Sequence, residues 1–282
     1  MQKANVFLNG EFLPAEKAWL NVEDRGTLFG DGVYEYIIAY NGKLFQADEH
    51  LDRLWRSAGE IEIPMPYSRD EIKNAMKALV GDSKAEEAGL YIELTRGSGP
   101  RIHHFPDAMI PNFFIVYREL QPLEPSVCND GIGVLLLPDQ RWKRCDIKTL
   151  NLLPNVLAKQ KAIKSGFYDA ILYGELGVTE ATSNSVLTVL DGVLTTAPLG
   201  PWILPGVTRK TVLELAREDG IPVSERFFTP QELKQAQEVM ITGTRCGIAP
   251  VVAIDKNPVA AGKPGPVYKR LKEMFNNLIA SL

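Results

Sequence analysis

Cysteine is scarce: Cys128, Cys145 and Cys246 are the only three in 282 residues. Their spacing fits neither a metal knuckle nor a disulfide framework. Histidine is as rare, and two of its three positions, His103 and His104, are adjacent, so a structural zinc site is not expected. Nowhere do about eighteen apolar residues run together, which argues against a membrane-spanning helix. Met1 to Leu13 lacks the basic segment, apolar run and small-residue cleavage site of an export signal, and a cytoplasmic location is the default expectation. Charge of one sign is also missing. Lys and Arg number 31 against 35 Asp and Glu, a net charge of −4, which argues against a broad nucleic-acid surface. An anionic ligand would have to be held locally.

The chain is long enough for two modest domains, and its 45% hydrophobic content supplies a sizeable core. Asn9-Gly10 and Asn41-Gly42 follow apolar runs and predict hairpin turns. Asp48 is expected to cap a helix whose apolar face carries Leu51, Leu54, Trp55 and Ala58, and Ser68 to Glu71 is a capping box for another. Strands are predicted at 90–96 and 112–117. Between Arg118 and Asp130, prolines and charges without periodicity predict an irregular connection, with a boundary near Gln121. This divides the chain into a small α/β domain, 1–120, and a larger one, 121–282. The second half mixes strands (131–137, 169–173, 185–190, 238–242) with helices after Pro154, at 208–218, after the Thr229 capping box and at 267–282.

Four segments carry residue types suited to chemistry. Arg141 to Lys148 concentrates cations before the apolar stretch Leu150 to Leu153; a desolvated lysine among cations is a nucleophile or Schiff-base partner. A solvated basic loop is the plain alternative. Glu180, followed by Ala181-Thr182-Ser183-Asn184, could pair with a protonated ring nitrogen, or the segment could be a polar surface turn. Gly206 before Val207-Thr208 is a glycine turn opening a helix, the geometry that binds phosphate; Thr242-Gly243-Thr244 is a similar turn. An ordinary helix start capped by Thr208 fits as well. Finally, the turn-rich loop Thr95 to Pro106 carries Arg101 and His103, suited to a carboxylate, or is simply a flexible basic loop.

In this order the segments resemble the class IV pyridoxal-phosphate aminotransferases along nearly the whole chain. The likeness is strongest to the bacterial D-amino-acid subgroup, through Glu23-Asp24-Arg25-Gly26, Phe29 to Glu35, Arg144 to Lys148 and the Arg96 to His103 loop. That resemblance implies an α+β, two-domain fold type IV architecture with pyridoxal 5'-phosphate between the domains, the larger domain binding it. It implies that Lys148 holds the cofactor, that Glu180 keeps the ring nitrogen protonated, and that Leu204 packs on the ring. Arg53, Val207, Thr208 and Thr244 would bind the phosphate. Tyr34, Arg101 and His103 would bind the substrate carboxylate, with Arg101 and His103 reaching the neighbouring subunit of a homodimer. The implied activity is transamination between a D-amino acid and a 2-oxo acid; a branched-chain L-amino-acid aminotransferase, an (R)-amine transaminase and an aminodeoxychorismate lyase share the same chemistry at Lys148. Two departures stand out. Asn184 comes one position earlier than the subgroup's asparagine, which questions the hydrogen bonds beside Glu180, and Arg245-Cys246 replaces small or hydroxyl and acidic residues after Thr244.

Overall fold

The computed structural model describes residues 4–81, 83 and 85–282, and these divide into two compact units. Unit 1 takes in the chain up to Pro122 and the separate segment Ile147–Asn151; unit 2 takes in Leu123–Asp146 and Leu152–Ser281. Lys148 therefore stands on unit 1, although the sequence around it continues into unit 2.

In unit 1, Asn9 and Gly10 both take positive φ and turn β1 (Val6–Leu8) back into β2 (Glu11–Leu13). There follow α1 (Arg25–Phe29), β3 (Gly32–Tyr40), β4 (Lys43–Leu44), α2 (Ala47–Glu60), α3 (Arg69–Val80), β5 (Glu87–Thr95) and β6 (Asn112–Glu119). The strands pair antiparallel in the order β2-β1-β6-β5-β3-β4. Leu51, Leu54 and Ala58 of α2, spaced three and four apart, pack with Ile72, Met76 and Leu79 of α3 against Ile37, Leu90 and Ile92 of the sheet. Each large aliphatic side chain so buried stabilises the unit by about 1.5–3 kcal/mol relative to exposure.

The Ser68 capping box forms as predicted: Ser68 N–H donates to Glu71 Oε2 at 2.7 Å and Ser68 Oγ accepts from the Glu71 N–H. Asp48 does not cap α2. The helix begins two residues earlier, with Gln46 as its N-cap at φ 49°, and Asp48 lies inside the first turn, where its carboxylate faces the positive end of the helix and pairs with Lys73. The returning segment lies along the start of β3. Tyr34 N–H donates to the Lys148 carbonyl at 3.0 Å, Leu150 N–H donates to the Gly32 carbonyl at 3.1 Å, and Ile147 joins the core.

Unit 2 contains α4 (Pro125–Asn129), β7 (Ile132–Pro138), α5 (Leu153–Lys164), β8 (Asp169–Gly174), β9 (Gly177–Ala181), β10 (Ser185–Leu190), β11 (Val193–Thr196), α6 (Val207–Glu218), β12 (Val223–Glu225), α7 (Pro230–Lys234), β13 (Glu238–Gly243), β14 (Gly247–Ile254), β15 (Asn257–Pro258) and α8 (Pro266–Ala280). The sheet runs β12-β11-β10-β13-β14-β7-β8-β9, β15 pairs with β14, and β9 meets β10 again at Glu180 and Ser185. That last pairing closes the sheet on itself at the carboxylate of interest. Two segments differ from expectation. The connection after Arg118 holds a short helix, started by Pro125, whose ring fixes the backbone angle the first turn needs. The stretch before Asn184 is a buried strand as far as Ala181, favoured by the β-branched Val178 and Thr179, and only Thr182–Asn184 turn. Among the described residues no helix is long and apolar enough to cross a membrane.

Candidate active site

Lys148 is fixed by its backbone from two directions. Besides the bond from Tyr34, its own N–H donates to Ser57 Oγ of α2 at 3.2 Å. The ammonium lies over the Tyr34 ring, 4.1 Å from its centroid, a contact that orients the side chain. One turn before Ser57 on α2 stands Arg53, buried and gripped by Glu35 of β3: Arg53 Nε donates to Oε1 at 2.7 Å and Nη2 to Oε2 at 3.0 Å. His50 Nδ1 approaches the same Oε2 at 2.8 Å.

The three side chains make a balanced set. Burial alone would push the Glu35 carboxyl up, but the Arg53 charge and the bonds from His50 and Arg53 outweigh it and hold the group far below the ordinary carboxylate range. Burial pushes His50 down against the raising influence of Glu35, so its ring is neutral at pH 7 and Nδ1–H is the donor to the carboxylate. One carboxylate and one guanidinium thus cancel.

In unit 2, Glu180 is buried at the end of β9 with Arg141 Nη1 donating to its Oε2 at 2.5 Å. The same guanidinium grips Asp139, from Nε to Oδ1 at 3.0 Å and Nη2 to Oδ2 at 2.8 Å, and Nη2 also reaches the Trp202 carbonyl at 3.2 Å. Thr179 Oγ1 donates to Asp139 Oδ2 at 2.7 Å. Here one cation serves two carboxylates. Asp139, only partly desolvated and bonded by Arg141 and Thr179, is lowered. Glu180 is raised, because burial outweighs its share of Arg141 and the backbone bond at Leu204. The cluster carries a surplus negative charge on Glu180 when both carboxylates are ionised, and a second cationic donor would answer it.

Beside the pairing of Glu180 with Ser185, the same sheet offers the opposite preference. Gly206 is the N-cap of α6 and brings no side chain to the helix N-terminus, so Thr208 does not cap it; Thr208 lies within the first turn. A Cβ on Gly206 would meet Ser185 Oγ at 2.8 Å. Ser185 pairs with Thr242 of β13, whose Oγ1 is buried without a hydrogen-bond partner, and Thr244 follows in the next turn. Uncapped N–H groups beside hydroxyls at a helix N-terminus suit an oxyanion.

Arg101 and His103 are exposed on the loop after β5, both near the Phe29 ring at 5.3 Å and 5.6 Å. Asn184 and Thr182 do not serve Glu180. Asn184 Nδ2 donates to Asp169 Oδ2 at 3.1 Å and Thr182 Oγ1 to Asp169 Oδ1 at 2.5 Å, so the early asparagine belongs to a different carboxylate. The cation run beginning at Arg141 is not a uniformly solvated face either: the Arg141 side chain is only 7% exposed and Arg144 pairs with Asp146 at 3.0 Å. Burial pushes the Cys145 thiol up to about 12, which disfavours the nucleophilic thiolate. Sequence reasoning assigns no role to Glu35, His50, Asp139 or Arg141. One signal is readable: Glu35 falls at a core-facing place in the alternation Val33, Glu35, Ile37, where a carboxylate needs a buried partner.

A family model described as Amino-transferase class IV matches residues 32–254. The D-alanine aminotransferase of Staphylococcus haemolyticus is 41% identical over 276 residues, covering 98% of each chain. Among solved structures, the branched-chain amino acid aminotransferase of Escherichia coli aligns with a TM-score of 0.91 at 27% identity, covering 99% of this chain and 95% of that one. The branched-chain aminotransferase of Thermoproteus uzoniensis with norvaline aligns at 0.88 and 26% identity, covering 98% of this chain and 94% of that one. The fold is the α+β, fold type IV architecture, and the chain belongs to the class IV aminotransferases.

Proposed function

We propose that this chain moves an amino group between a D-amino acid and a 2-oxo acid, such as D-alanine and 2-oxoglutarate, with pyridoxal 5'-phosphate held by Lys148. The observation that carries the reading is the full-length likeness to a D-alanine aminotransferase, 41% identical across 98% of both chains. The residues present fit the cofactor. The surplus negative charge at Glu180 suits a protonated pyridine nitrogen, and the bare Gly206 helix start, with the unpartnered Thr242 hydroxyl, suits a phosphate. Bound, the cofactor supplies an electron sink for the pair released when the substrate α-proton leaves.

The chain's own residues supply the rest. Lys148 Nζ would hold the cofactor and, once freed by the substrate amine, would serve as the base that takes and returns the substrate α-proton. Glu180 would keep the ring nitrogen protonated, and Leu204 would pack against the ring. Arg53, kept in one orientation by Glu35, would be one phosphate-binding residue, and Val207, Thr208 and Thr244 would be others. Tyr34, Arg101 and His103 receive the substrate α-carboxylate, with the Arg101 and His103 loop crossing to a second copy of the chain. Leu153, Val156, Leu157 and Ile163, all more than half exposed on α5, support a homodimer in which that face is covered.

The rival reading, transamination of branched-chain L-amino acids, draws on the TM-score of 0.91 to the Escherichia coli enzyme. Steady-state assays with 2-oxoglutarate separate the two. Turnover of D-alanine and D-glutamate is expected, with loss of more than about 10⁴-fold in Lys148→Ala. Turnover of L-leucine without D-alanine overturns the proposal.

A further inference from the structure

The segments Asp24-Arg25-Gly26 and Phe29-Gly30-Asp31 have no part in the chemistry above, yet two of their polar side chains are almost wholly buried. Arg25 is 2% exposed and Asp24 1%. Asp31 accepts from two guanidinium groups at once: Arg25 Nε to Oδ2 at 2.8 Å, and Arg96 Nε to Oδ2 at 2.8 Å with Nη2 to Oδ1 at 3.1 Å. Arg96 opens the loop that carries Arg101 and His103, and its outer nitrogens donate to the carbonyls of Ile61 and Glu62 at 2.6 and 3.1 Å. Arg25 spends Nη1 on the carbonyl of Ile102 at 2.6 Å. Ile102 is the residue between Arg101 and His103.

The same loop is pinned at its base. Arg25 N–H donates to the Gly97 carbonyl at 2.9 Å and Gly99 N–H to the Glu23 carbonyl at 3.2 Å. Gly97 has φ +101° and a Cβ there would meet the Ile110 carbonyl at 1.9 Å, so only glycine lets the two ends of the loop close. Above this base the Phe29 ring has Arg25 at 4.7 Å, Arg101 at 5.3 Å and His103 at 5.6 Å. Arg96 lies over the Phe105 ring at 3.5 Å.

We propose that Arg25, Asp31 and Phe29 are positioning residues for carboxylate recognition: Asp31 aims Arg25, Arg25 tethers Ile102, and Phe29 lays out Arg101 and His103 before the substrate arrives. The inference rests on the reading that Arg101 and His103 receive the α-carboxylate. A loop fixed in advance loses less entropy on binding, so its tether acts on affinity more than on turnover.

The test uses the holoenzyme of the wild type, Arg25→Lys, Phe29→Leu and Arg101→Met. Arg25→Lys keeps the charge for Asp31 but lacks the fork that also reaches Ile102, so it reports geometry and not charge. Three quantities are read: KM and kcat for D-alanine, the calorimetric Kd of propionate, which has a carboxylate and no amine, and hydrogen exchange of the 98–110 amides. Arg101→Met is expected to weaken propionate about 100-fold, Arg25→Lys about ten-fold and Phe29→Leu about three-fold. The last two should raise KM in parallel, leave kcat within about twofold, and speed loop exchange. If Arg101→Met weakens propionate while Arg25→Lys and Phe29→Leu leave it unchanged, the proposal is wrong and the carboxylate reading stands. A fall in kcat with propionate affinity intact marks a merely structural role and also overturns it. Unchanged propionate binding in Arg101→Met removes the carboxylate reading itself. Should Arg25→Lys fail to fold, Phe29→Leu decides alone, by the same propionate and exchange readings.

Discussion

Two buried ion clusters, one in each unit, are built from the same residue types in opposite proportion. Around Glu35, one carboxylate is shared by Arg53 and His50, and the set is electrically closed. Around Arg141, one guanidinium is shared by Asp139 and Glu180, and the set is short of a cation. Burial is almost complete for both glutamates, yet Glu35 is held far down and Glu180 is pushed up. Depth of burial therefore does not decide the direction; the local count of partners does. The closed cluster is a structural clamp that aims Arg53. The open one is short of a cation, which fits the proposed role of Glu180 beside a protonated ring nitrogen.

The largest expected difference between the clusters is in stability. Glu35→Gln leaves Arg53 buried without its counter-charge and should cost about 3–5 kcal/mol, measured by urea unfolding of the cofactor-free protein. Glu180→Gln removes the surplus charge while Asp139 still serves Arg141, and should cost less than about 1 kcal/mol in the same assay. Equal losses would erase the distinction. Next in size is catalysis: Glu180→Gln is expected to lower kcat about 10²–10³-fold, or about 2.7–4 kcal/mol, with the fold intact.

The smallest effect, and the sharpest discriminator, is the dependence of stability on pH. Glu35 is depressed in the folded state, so its contribution is present above the unfolded value of 4.5 and is lost as pH falls below it. His50 is also depressed when folded, so the unfolded chain takes up its proton first and stability falls below pH 6.5. Glu180 has the opposite sign: its folded value is raised, and its contribution is full below 4.5 and lost as pH rises through that higher value. A tenfold difference in proton affinity between the folded and unfolded chain is worth about 1.4 kcal/mol. Unfolding of cofactor-free wild type and Glu180→Gln from pH 4.5 upward should show the variant gaining relative to wild type as pH rises. A flat difference would mean that Glu180 titrates normally.

The same contrast explains how much is legible in the sequence. Asn-Gly turns, the Ser68 and Thr229 capping boxes and the spacing of Leu51, Leu54 and Ala58 depend on neighbours a few positions away, and the structure has them. Gln46 as an N-cap with positive φ follows from no local preference, so local signals place the helix start at Asp48 instead. Lys148 reads as one more cation in a basic run, and its importance comes only from the company of Glu180, Arg53 and the Arg101 loop. Arg141 is indistinguishable from Lys143 and Arg144 in the sequence, because what buries it includes Glu180, 39 positions further on. Glu35 meets its partners 15 and 18 positions away on α2, across a turn that sequence periodicity does not span. The return of Ile147–Asn151 to unit 1 likewise rests on pairings with β3 more than a hundred residues earlier.

The most direct measurement of the central claim is a half-reaction. Holoenzyme is mixed with D-alanine or L-alanine in the absence of any oxo acid, and the cofactor absorbance is followed to completion. Rapid loss of the Lys148-bound cofactor band is expected with D-alanine, at least about 100-fold slower loss with L-alanine, and no response in Lys148→Ala. Equal rates for the two enantiomers, or a faster change with L-alanine, would contradict it.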